Sequence, residues 1–197
     1  FDIPGELIEK FSLEKVSKTP AIFDREKFEW MNGVHIRRLS PRELAARARA
    51  LLEKAGLLSP ELPDGEEERL VGIVEAVQPR VKTLNEIPAA TAYFFSDDLS
   101  YDEKAVEKWL RREYVPGLFT RLLEELAPLE PFDAAGIERV LDRVGEAMQL
   151  GKGNVMQPIR VAVTGGTVSP GMYETLALLG KERTLARLRQ ALALAGV

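Results

Sequence analysis

The 197-residue sequence predicts an all-α fold, a helical bundle with no sheet. Apolar residues recur every three or four positions in most segments, the spacing that places them on one face of a helix. Helix-capping patterns such as Ser40-Pro-Arg-Glu43 stand in front of these segments. No alternation of apolar and polar residues is long enough to predict a strand. We therefore expect the chain to bury its core between helices.

The composition limits the class of protein. With 45% hydrophobic and 29% charged residues, the chain can form a packed core and lacks the composition of a disordered protein. It has no cysteine and a single histidine, His35, so we expect no disulfide and no metal site. There is no signal peptide and no long apolar run, so we expect a soluble, cytoplasmic protein without a membrane contact. The first residue is Phe1 rather than Met, which suggests a fragment of a longer protein.

Charge and motifs narrow the function further. A formal net charge of −4 argues against a protein that binds nucleic acid through a broad basic face. It leaves open a protein that reads a few unpaired bases with local arginine side chains. No Ser/His/Asp set and no glycine-rich nucleotide loop after a strand is present. Asp97 and Asp98 are interpreted as solubilising loop residues, and the string Val16-Ser-Lys18 only partly matches a nucleotide-binding signature. We expect no catalysis by this chain alone and no cofactor in it.

Residues 1–39 are predicted to form a short helical connector, and residues 40–100 a first helical unit. In the first unit, a capping box precedes an amphipathic helix, and a second helix is predicted over Glu66–Val77. Pro79 interrupts that helix, since its ring clashes with the preceding turn. Arg80 therefore lies at a helix break with its side chain free to point away from the bundle. The ordinary role of such an arginine is to bind the last carbonyls of the helix.

Residues 101–197 are predicted to form a second helical unit. At its junction with the first unit, Tyr93–Phe95 are interpreted as core residues rather than as stacking platforms for bases. A second capping box, Ser100-Tyr-Asp-Glu103, predicts a helix over Tyr101–Glu113. The last helix is predicted over Lys181–Leu194. Three of its arginines are expected on its exposed face: Arg183, Arg187 and Arg189.

The stretch from Gly151 to Glu182 predicts two helices joined by a glycine-rich corner. Gln157–Pro158 is predicted to begin the first helix, and Gly165–Gly166 to end it. Ser169–Pro170 is predicted to cap and begin the second helix. Gly171 would then let another molecule approach free N–H groups at the helix start. Taken alone, such a corner is also typical of an ordinary αα-hairpin.

The same stretch also resembles the C-terminal end of bacterial-type glutamyl-tRNA synthetases, in the pattern GK-x-x-x-x-QP-[IL]-R-x-A-[LV]-TG…[ST]-PG-[ML]-x-E-x-L-x-LLGKE. Two shorter strings support the resemblance. The family string FD-x-x-K-[LF]-x-W-[ML]-N is matched at Asp24, Lys27, Trp30 and Asn32, and P-R-x-x-TL at Pro79–Leu84. The similarity is weak over residues 116–145. It implies the end of a stem-contact region followed by an anticodon-binding domain of two helical subdomains.

The resemblance implies a role in tRNA binding for several individual residues. Lys27 would contact a backbone phosphate of the tRNA stem, and Trp30 would anchor the fold. Arg80 would meet the third anticodon base, and Arg160 a second anticodon base or its phosphate. The wall and floor of the base site would be Ser169, Pro170, Gly171 and Met172. The alternative for Met172 is core packing, and for Arg160 an internal salt bridge.

The partners follow from the same resemblance. The whole enzyme would join glutamate to tRNA-Glu with ATP and Mg²⁺, using an N-terminal catalytic domain whose signatures this sequence lacks, and would be monomeric. Guanidinium offers only donors, which match the O2 and N3 acceptors of cytosine and oppose the N1–H and N2–H₂ donors of guanine. We therefore expect an enzyme that discriminates C from G at the third anticodon base. The alternative is a helical scaffold for protein–protein interaction without tRNA binding.

Overall fold

A computed structural model describes residues 3–15, 22–63 and 65–195. In this part of the chain the regular structure is entirely helical, which confirms the all-α prediction. The string Val16-Ser-Lys18 lies outside the described residues. None of the described helices is long and apolar enough to cross a lipid bilayer. The α-helices are α1 (Ile3–Lys10), α2 (Arg25–Ile36), α3 (Pro41–Lys54), α4 (Glu66–Val77), α5 (Ile87–Phe95), α6 (Glu103–Ala105), α7 (Val115–Leu126), α8 (Ala134–Ala147), α9 (Lys152–Thr164), α10 (Met172–Leu179) and α11 (Lys181–Ala195).

Two hydrophobic clusters hold these helices together. The first lies between α2, α3, α4 and α5, and includes the fully buried side chains of Leu44, Leu52 and Val74. The second is larger and is built mainly from α7 to α11. Ile73 and Phe94, on α4 and α5, belong to the second cluster, so the helices of the predicted first unit contribute to both. The predicted domain limits at residues 39 and 100 stay predictions.

The capping box at the start of α3 is confirmed. The Glu43 backbone N–H donates to Ser40 Oγ at 3.3 Å, and the Ser40 N–H donates back to the Glu43 carboxylate at 3.0 Å. These hydrogen bonds from the side chain and backbone of Ser40 favour the ionised form, and so lower the pKa of Glu43 below its ordinary value. The predicted limits of α4 are also confirmed, because that helix covers Glu66–Val77.

The second predicted capping box is wrong. Asp102, rather than Ser100, caps α6, and its carboxylate accepts from the N–H groups of Lys104 and Ala105 at 2.8 and 3.2 Å. Ser100 is instead packed against Gly165, where an added Cβ would lie 2.1 Å from the Ser100 carbonyl oxygen. The helix continues beyond α6 as a π-helical turn over Val106–Leu110, so it ends before the predicted Glu113.

The prediction of an exposed basic face on α11 is wrong for Arg187, which is only 2% exposed. Its guanidinium donates to the carbonyl oxygens of Val163 and Ser96, at the ends of α9 and α5. Arg183 makes a related contact, from Nη1 to the Phe94 carbonyl at 2.8 Å. Carbonyls at helix ends lack partners inside their own helix, and arginine is a donor that can reach them. Arg189 is exposed, as predicted.

The expectation that Trp30 anchors the fold is also wrong, since its side chain is 61% exposed. Phe23 and Phe28 are exposed as well, and their rings contact each other at a centroid distance of 5.5 Å. The buried residues of α2 are Gly33 and Ile36, near its C-terminal end. Helix α2 therefore packs through its last turns and leaves its aromatic side chains in solvent.

Candidate nucleic-acid interface

Arg80 lies just beyond the C-terminal end of α4. The Arg80 N–H donates to the Val77 carbonyl at 2.9 Å, which closes a turn, and Pro79 prevents the helix from continuing. The side chain is exposed, and its Nη1 donates to the Ala76 carbonyl at 3.3 Å. No carboxylate of the described residues lies within salt-bridge distance of its guanidinium. A long hydrogen bond to a neutral carbonyl on the exposed surface can be exchanged for a better acceptor at low cost.

A buried glutamine fixes the backbone in front of Arg80. Gln78 is 8% exposed, and its Nε2 donates to the carbonyls of Ile36 and Leu39, both at 2.9 Å. Those carbonyls lie at and just after the end of α2, where no helical N–H remains to satisfy them. The end of α4 is thereby tied to the end of α2.

The backbone behind Arg80 is fixed by three further groups. Asn32 Nδ2, on α2, donates to the Lys82 carbonyl. The Glu86 carboxylate accepts from the Lys82 N–H at 3.0 Å and from Thr83 Oγ1 at 2.9 Å. Gly33 of α2 lies against the same segment, where an added Cβ would be in ordinary van der Waals contact with Lys82 Cα at 3.5 Å. Arg80 thus extends from a loop whose backbone is held on both sides.

Arg160, on α9, binds the corner that follows its own helix. Its Nε donates to Ser169 Oγ at 2.9 Å, and the Ser169 hydroxyl donates to the Pro170 carbonyl at 3.0 Å. Burial lowers the pKa of Arg160, and the positive charge of Arg80 lowers it further. No carboxylate of the described residues pairs with Arg160, so its alternative as an internal salt bridge is not the arrangement found.

The limits of the two corner helices differ from the prediction. Helix α9 begins at Lys152 rather than at Gln157, and Pro158 lies inside it, where buried neighbours on the same helix hold it in place. Helix α10 begins at Met172 with Gly171 as its N-cap. Ser169 does not cap α10, because its hydroxyl is engaged by Arg160. The predicted ends hold: Gly165 and Gly180 follow the two helices, with φ values of +79° and +85°.

Arg80 and Gly171 line one open cleft of about 600 Å³ between α4 and α10. Ser169, which Arg160 binds, is two residues from Gly171, so Arg160 contacts the corner beside this cleft without lining the cleft itself. Glu75 and Glu174 line it as well. Of the predicted anticodon-binding residues, Arg80 and Gly171 line this cleft. The separate prediction for Lys27 concerns another face, since Lys27 is exposed near the start of α2.

Two predicted residues of the corner are buried. Pro170 is buried, and Met172 is 4% exposed and packs in the second hydrophobic cluster. Core packing, the alternative for Met172, therefore describes its position. Val168, in the same corner, is 79% exposed, and the sequence pattern did not predict a role for it. An exposed apolar side chain beside an open backbone is a surface on which a base can stack.

Glu174 was overlooked, although its position has a sequence signal. An added Cβ on Gly171 would lie 2.3 Å from Glu174 Oε2, so the carboxylate folds back over the start of α10. An acidic residue three positions after an N-cap does this commonly. The Glu174 carboxylate therefore lies beside Gly171 at the start of α10, where an acceptor of a ligand approaching the backbone would meet a negative charge.

The sequence pattern predicted only a packing role for Tyr93. Its ring is half-buried on α5 and lies 4.3 Å from the Phe94 ring between centroids. Its hydroxyl is buried and has no hydrogen-bond partner among the described residues. Burial raises the pKa of the Tyr93 hydroxyl well above its ordinary value, and the charges of Arg80, Arg160 and Arg187 oppose that rise.

Comparison with known proteins gives a consistent result. The family described as "Anticodon binding domain" matches residues 43–192. The chain is 38% identical over 190 residues to glutamate–tRNA ligase of Moorella thermoacetica, covering 96% of this chain and 39% of that protein. It is 40% identical over 190 residues to glutamate–tRNA ligase of Syntrophobacter fumaroxidans, with 95% and 39% covered. The chain thus spans about two fifths of the length of these curated relatives.

Solved structures show the same similarity in three dimensions. A glutamate–tRNA ligase from Elizabethkingia meningosepticum, in complex with its amino acid, superposes with a TM-score of 0.84 at 28% identity, over 96% of this chain and 36% of that one. The glutamate–tRNA synthetase of Elizabethkingia anophelis gives a TM-score of 0.79 at 28% identity, with the same coverage. The helical architecture described above is therefore that of the helical part of these proteins.

Proposed function

Because the chain belongs to the anticodon-binding domain family, in the form found in glutamate–tRNA ligases, we propose that it binds the anticodon loop of tRNA-Glu. One observation carries the proposal: Arg80 lines an open cleft that reaches Gly171 of the corner, Arg160 binds Ser169 of the same corner, and neither arginine pairs with a carboxylate of the described residues. An arginine without a directly paired carboxylate keeps its donors available for a ligand that supplies acceptors or negative charge. An RNA loop supplies both.

The surroundings of the two arginines support this function over non-specific binding. Several other arginines are neutralised by carboxylates within the protein, among them Arg42 with Glu68 and Arg49 with Glu67. Together with the net charge of −4, this leaves a local rather than a broad basic surface. Local donors beside an exposed apolar residue suit the reading of unstacked bases.

The finer part of the proposal assigns the third anticodon base to Arg80. Its donor-only guanidinium can bind the O2 and N3 acceptors of cytosine in a bidentate manner, whereas guanine would oppose it with donors. A pair of this kind is worth roughly 1–3 kcal/mol of discrimination, about ten- to a hundredfold. The held backbone on both sides of Arg80 favours such selectivity, because a fixed donor cannot easily adapt to the wrong base.

For the longer protein we propose ATP-dependent attachment of glutamate to tRNA-Glu, with Mg²⁺, by a catalytic domain outside this chain, in the cytoplasm and as a monomer. Exposed aromatic side chains on α2 and just before it support a contact with that domain: Trp30 is 61% exposed and Phe23 73% exposed. Exposed apolar groups of this size usually mark a contact surface. Lys27, exposed on the same helix, is proposed to contact a phosphate of the tRNA stem.

The test uses anticodon stem-loop hairpins that differ only in C or G at the third anticodon base. Fluorescence anisotropy with the 197-residue chain should show tighter binding to the C hairpin, weakening as salt rises. Arg80→Gln should reduce the preference for C by about tenfold or more. Arg121→Gln is the matched control, because Arg121 is exposed on α7 and does not line the cleft. Equal binding of both hairpins by the unsubstituted chain would contradict the assignment to Arg80. Absence of binding to either hairpin would favour the helical protein-interaction scaffold.

A further inference from the structure

Arg69, near the start of α4, joins three helices through one side chain. Its Nε donates to the Leu178 carbonyl, near the end of α10, at 3.0 Å, and its Nη2 donates to the Phe94 carbonyl, near the end of α5, at 2.8 Å. Its Nη1 pairs with the Glu66 carboxylate of its own helix at 2.8 Å. Carbonyls in the last turn of a helix have no N–H partner inside that helix, so Arg69 satisfies two of them.

The side chain of Arg69 is held by more than these bonds. Its guanidinium lies over the Phe95 ring, 5.8 Å from the centroid. The Phe94 carbonyl accepts a second hydrogen bond, from Arg183 of α11 at 2.8 Å. Arg69 therefore occupies a fixed position at the junction of α4, α5 and α10.

Helices α4 and α10 run in opposite directions along the cleft. Arg69, near the start of α4, contacts Leu178 near the end of α10. At their other ends, Arg80 follows α4 and Gly171 precedes α10, and both of these residues line the cleft. Gly72, one turn after Arg69, also lies close to α10, since an added Cβ there would be 2.9 Å from Leu178 Cδ2. The two helices are thus joined by direct contact at one end and separated by the cleft at the other.

The position of Arg80 relative to the corner depends on this contact. The helix from Arg69 to Val77 is about 12 Å long, so a rotation of α4 by about 10° at Arg69 would move its far end by about 2 Å. A hydrogen bond tolerates only a few tenths of an ångström. The bonds that hold the Arg80 loop connect it to α2 and do not fix it relative to α10. Ile73 of α4 packs in the second hydrophobic cluster, but apolar contacts have no preferred direction.

We propose that Arg69 is a positioning residue of the cleft: by holding the start of α4 to the ends of α5 and α10, it sets the distance between Arg80 and the backbone at Gly171. The inference rests on the proposed anticodon binding and deepens it. Selection of cytosine by Arg80 requires that its donors be fixed relative to the corner beside which the base lies. The described residues that line the cleft do not include Arg69, so it acts through the two helices and not by touching RNA.

The binding test is Arg69→Met in the 197-residue chain, with the C and G hairpins as probes. The ratio of the two dissociation constants should fall about fivefold, the effect of one misaligned hydrogen bond. A loss of stability alone would weaken binding of both hairpins equally and leave the ratio unchanged. Arg49→Met is the matched control. Arg49 also binds through three nitrogens, to Glu53, Glu67 and the Pro60 carbonyl, none of which belongs to α10, so the ratio should not change.

A distance measurement tests the spacing without RNA. The chain has no cysteine, so Lys82→Cys and Thr167→Cys, both at exposed positions, place one spin label beside Arg80 and one in the corner. The distance distribution from double electron–electron resonance should broaden, or shift by about 2 Å, in Arg69→Met. It should stay the same in Arg49→Met.

The two measurements separate the inference from the proposed function. An unchanged distance distribution in Arg69→Met would overturn the inference and leave the proposed function standing. A changed distribution with an unchanged ratio of dissociation constants would overturn the role of Arg69 in base selectivity. If the unsubstituted chain binds neither hairpin and the distribution still changes in Arg69→Met, the proposed function is wrong and the role of Arg69 in setting the spacing is confirmed.

Discussion

The replacement of Arg187 by methionine should destabilise the protein strongly without any direct effect on the cleft. Arg187 is 2% exposed, and its two terminal nitrogens satisfy the Val163 and Ser96 carbonyls, the second at 2.7 Å. Methionine fills most of the same space and adapts to irregular gaps, so the cavity contribution is small. The main effect is that two carbonyls at helix ends lose their donors.

The magnitude follows from these two carbonyls. Each buried acceptor left without a partner costs about 1–3 kcal/mol. The replacement also removes the unfavourable burial of a cation, which has no carboxylate partner among the described residues, and whose pKa burial lowers. We expect a net loss of about 2–5 kcal/mol in the free energy of unfolding. For a chain of this size, each 1 kcal/mol lowers the thermal midpoint by about 2–4 °C.

The measurement is urea unfolding followed by circular dichroism, with Arg187→Lys and Arg189→Met for comparison. Arg187→Lys should be intermediate, because an ammonium group cannot reproduce the two-pronged geometry of guanidinium. Arg189 is exposed on the same helix, so Arg189→Met should stay within about 0.5 kcal/mol of the unsubstituted chain. If Arg187→Met unfolds at the same urea concentration as the unsubstituted chain, the two carbonyl contacts contribute nothing and the reasoning is wrong.

Two further predictions concern stability. Gly165→Ala should lower the free energy of unfolding in urea by about 2 kcal/mol or more, because φ is +79° there and an added Cβ would lie 2.1 Å from the Ser100 carbonyl oxygen. Gly166→Ala is the control, since an added Cβ at Gly166 would meet open space. An equal loss for both variants would contradict the proposed clash. Glu43 has a pKa below its unfolded value of 4.5, so its contribution is present above pH 4.5 and lost as the pH falls through the folded pKa. The stability difference between the unsubstituted chain and Glu43→Gln should therefore shrink below pH 4.5, and a difference that stays constant down to pH 3 would refute this contribution.

Local signals in the sequence predicted the helix limits best. The limits of α4 were predicted to the residue, because acidic residues begin it and Pro79 lies just beyond its end. The start of α9 was missed, since a proline usually marks a first turn and here the packing of buried neighbours overrides that preference. The exposure of Trp30 and the burial of Arg187 were missed for a related reason. Both depend on what a distant segment places against the helix, and residue type and spacing carry no information on that.

In the candidate site, too, some features depend on the local sequence and others on tertiary packing. The break that frees Arg80 is local, and so the sequence predicts it. The grouping of Arg160 and the corner with Arg80 came from family resemblance alone; in the structure Arg80 and Gly171 line one cleft, and Arg160 binds Ser169 of the same corner. The Tyr93 hydroxyl and the Glu174 carboxylate could not be assigned, because an unpartnered group is recognised only when its surroundings are known.

The hydrogen bonds that fix the Arg80 loop also connect it to α2. Asn32 reaches the Lys82 carbonyl from this helix, and Gln78 reaches the Ile36 carbonyl at its last residue. Hydrogen bonds weaken steeply once the donor and acceptor separate by more than a few tenths of an ångström. A displacement of α2 must therefore carry the Arg80 loop with it or release it. A force applied to α2 would in this way change the position of Arg80, and with it the proposed binding of RNA.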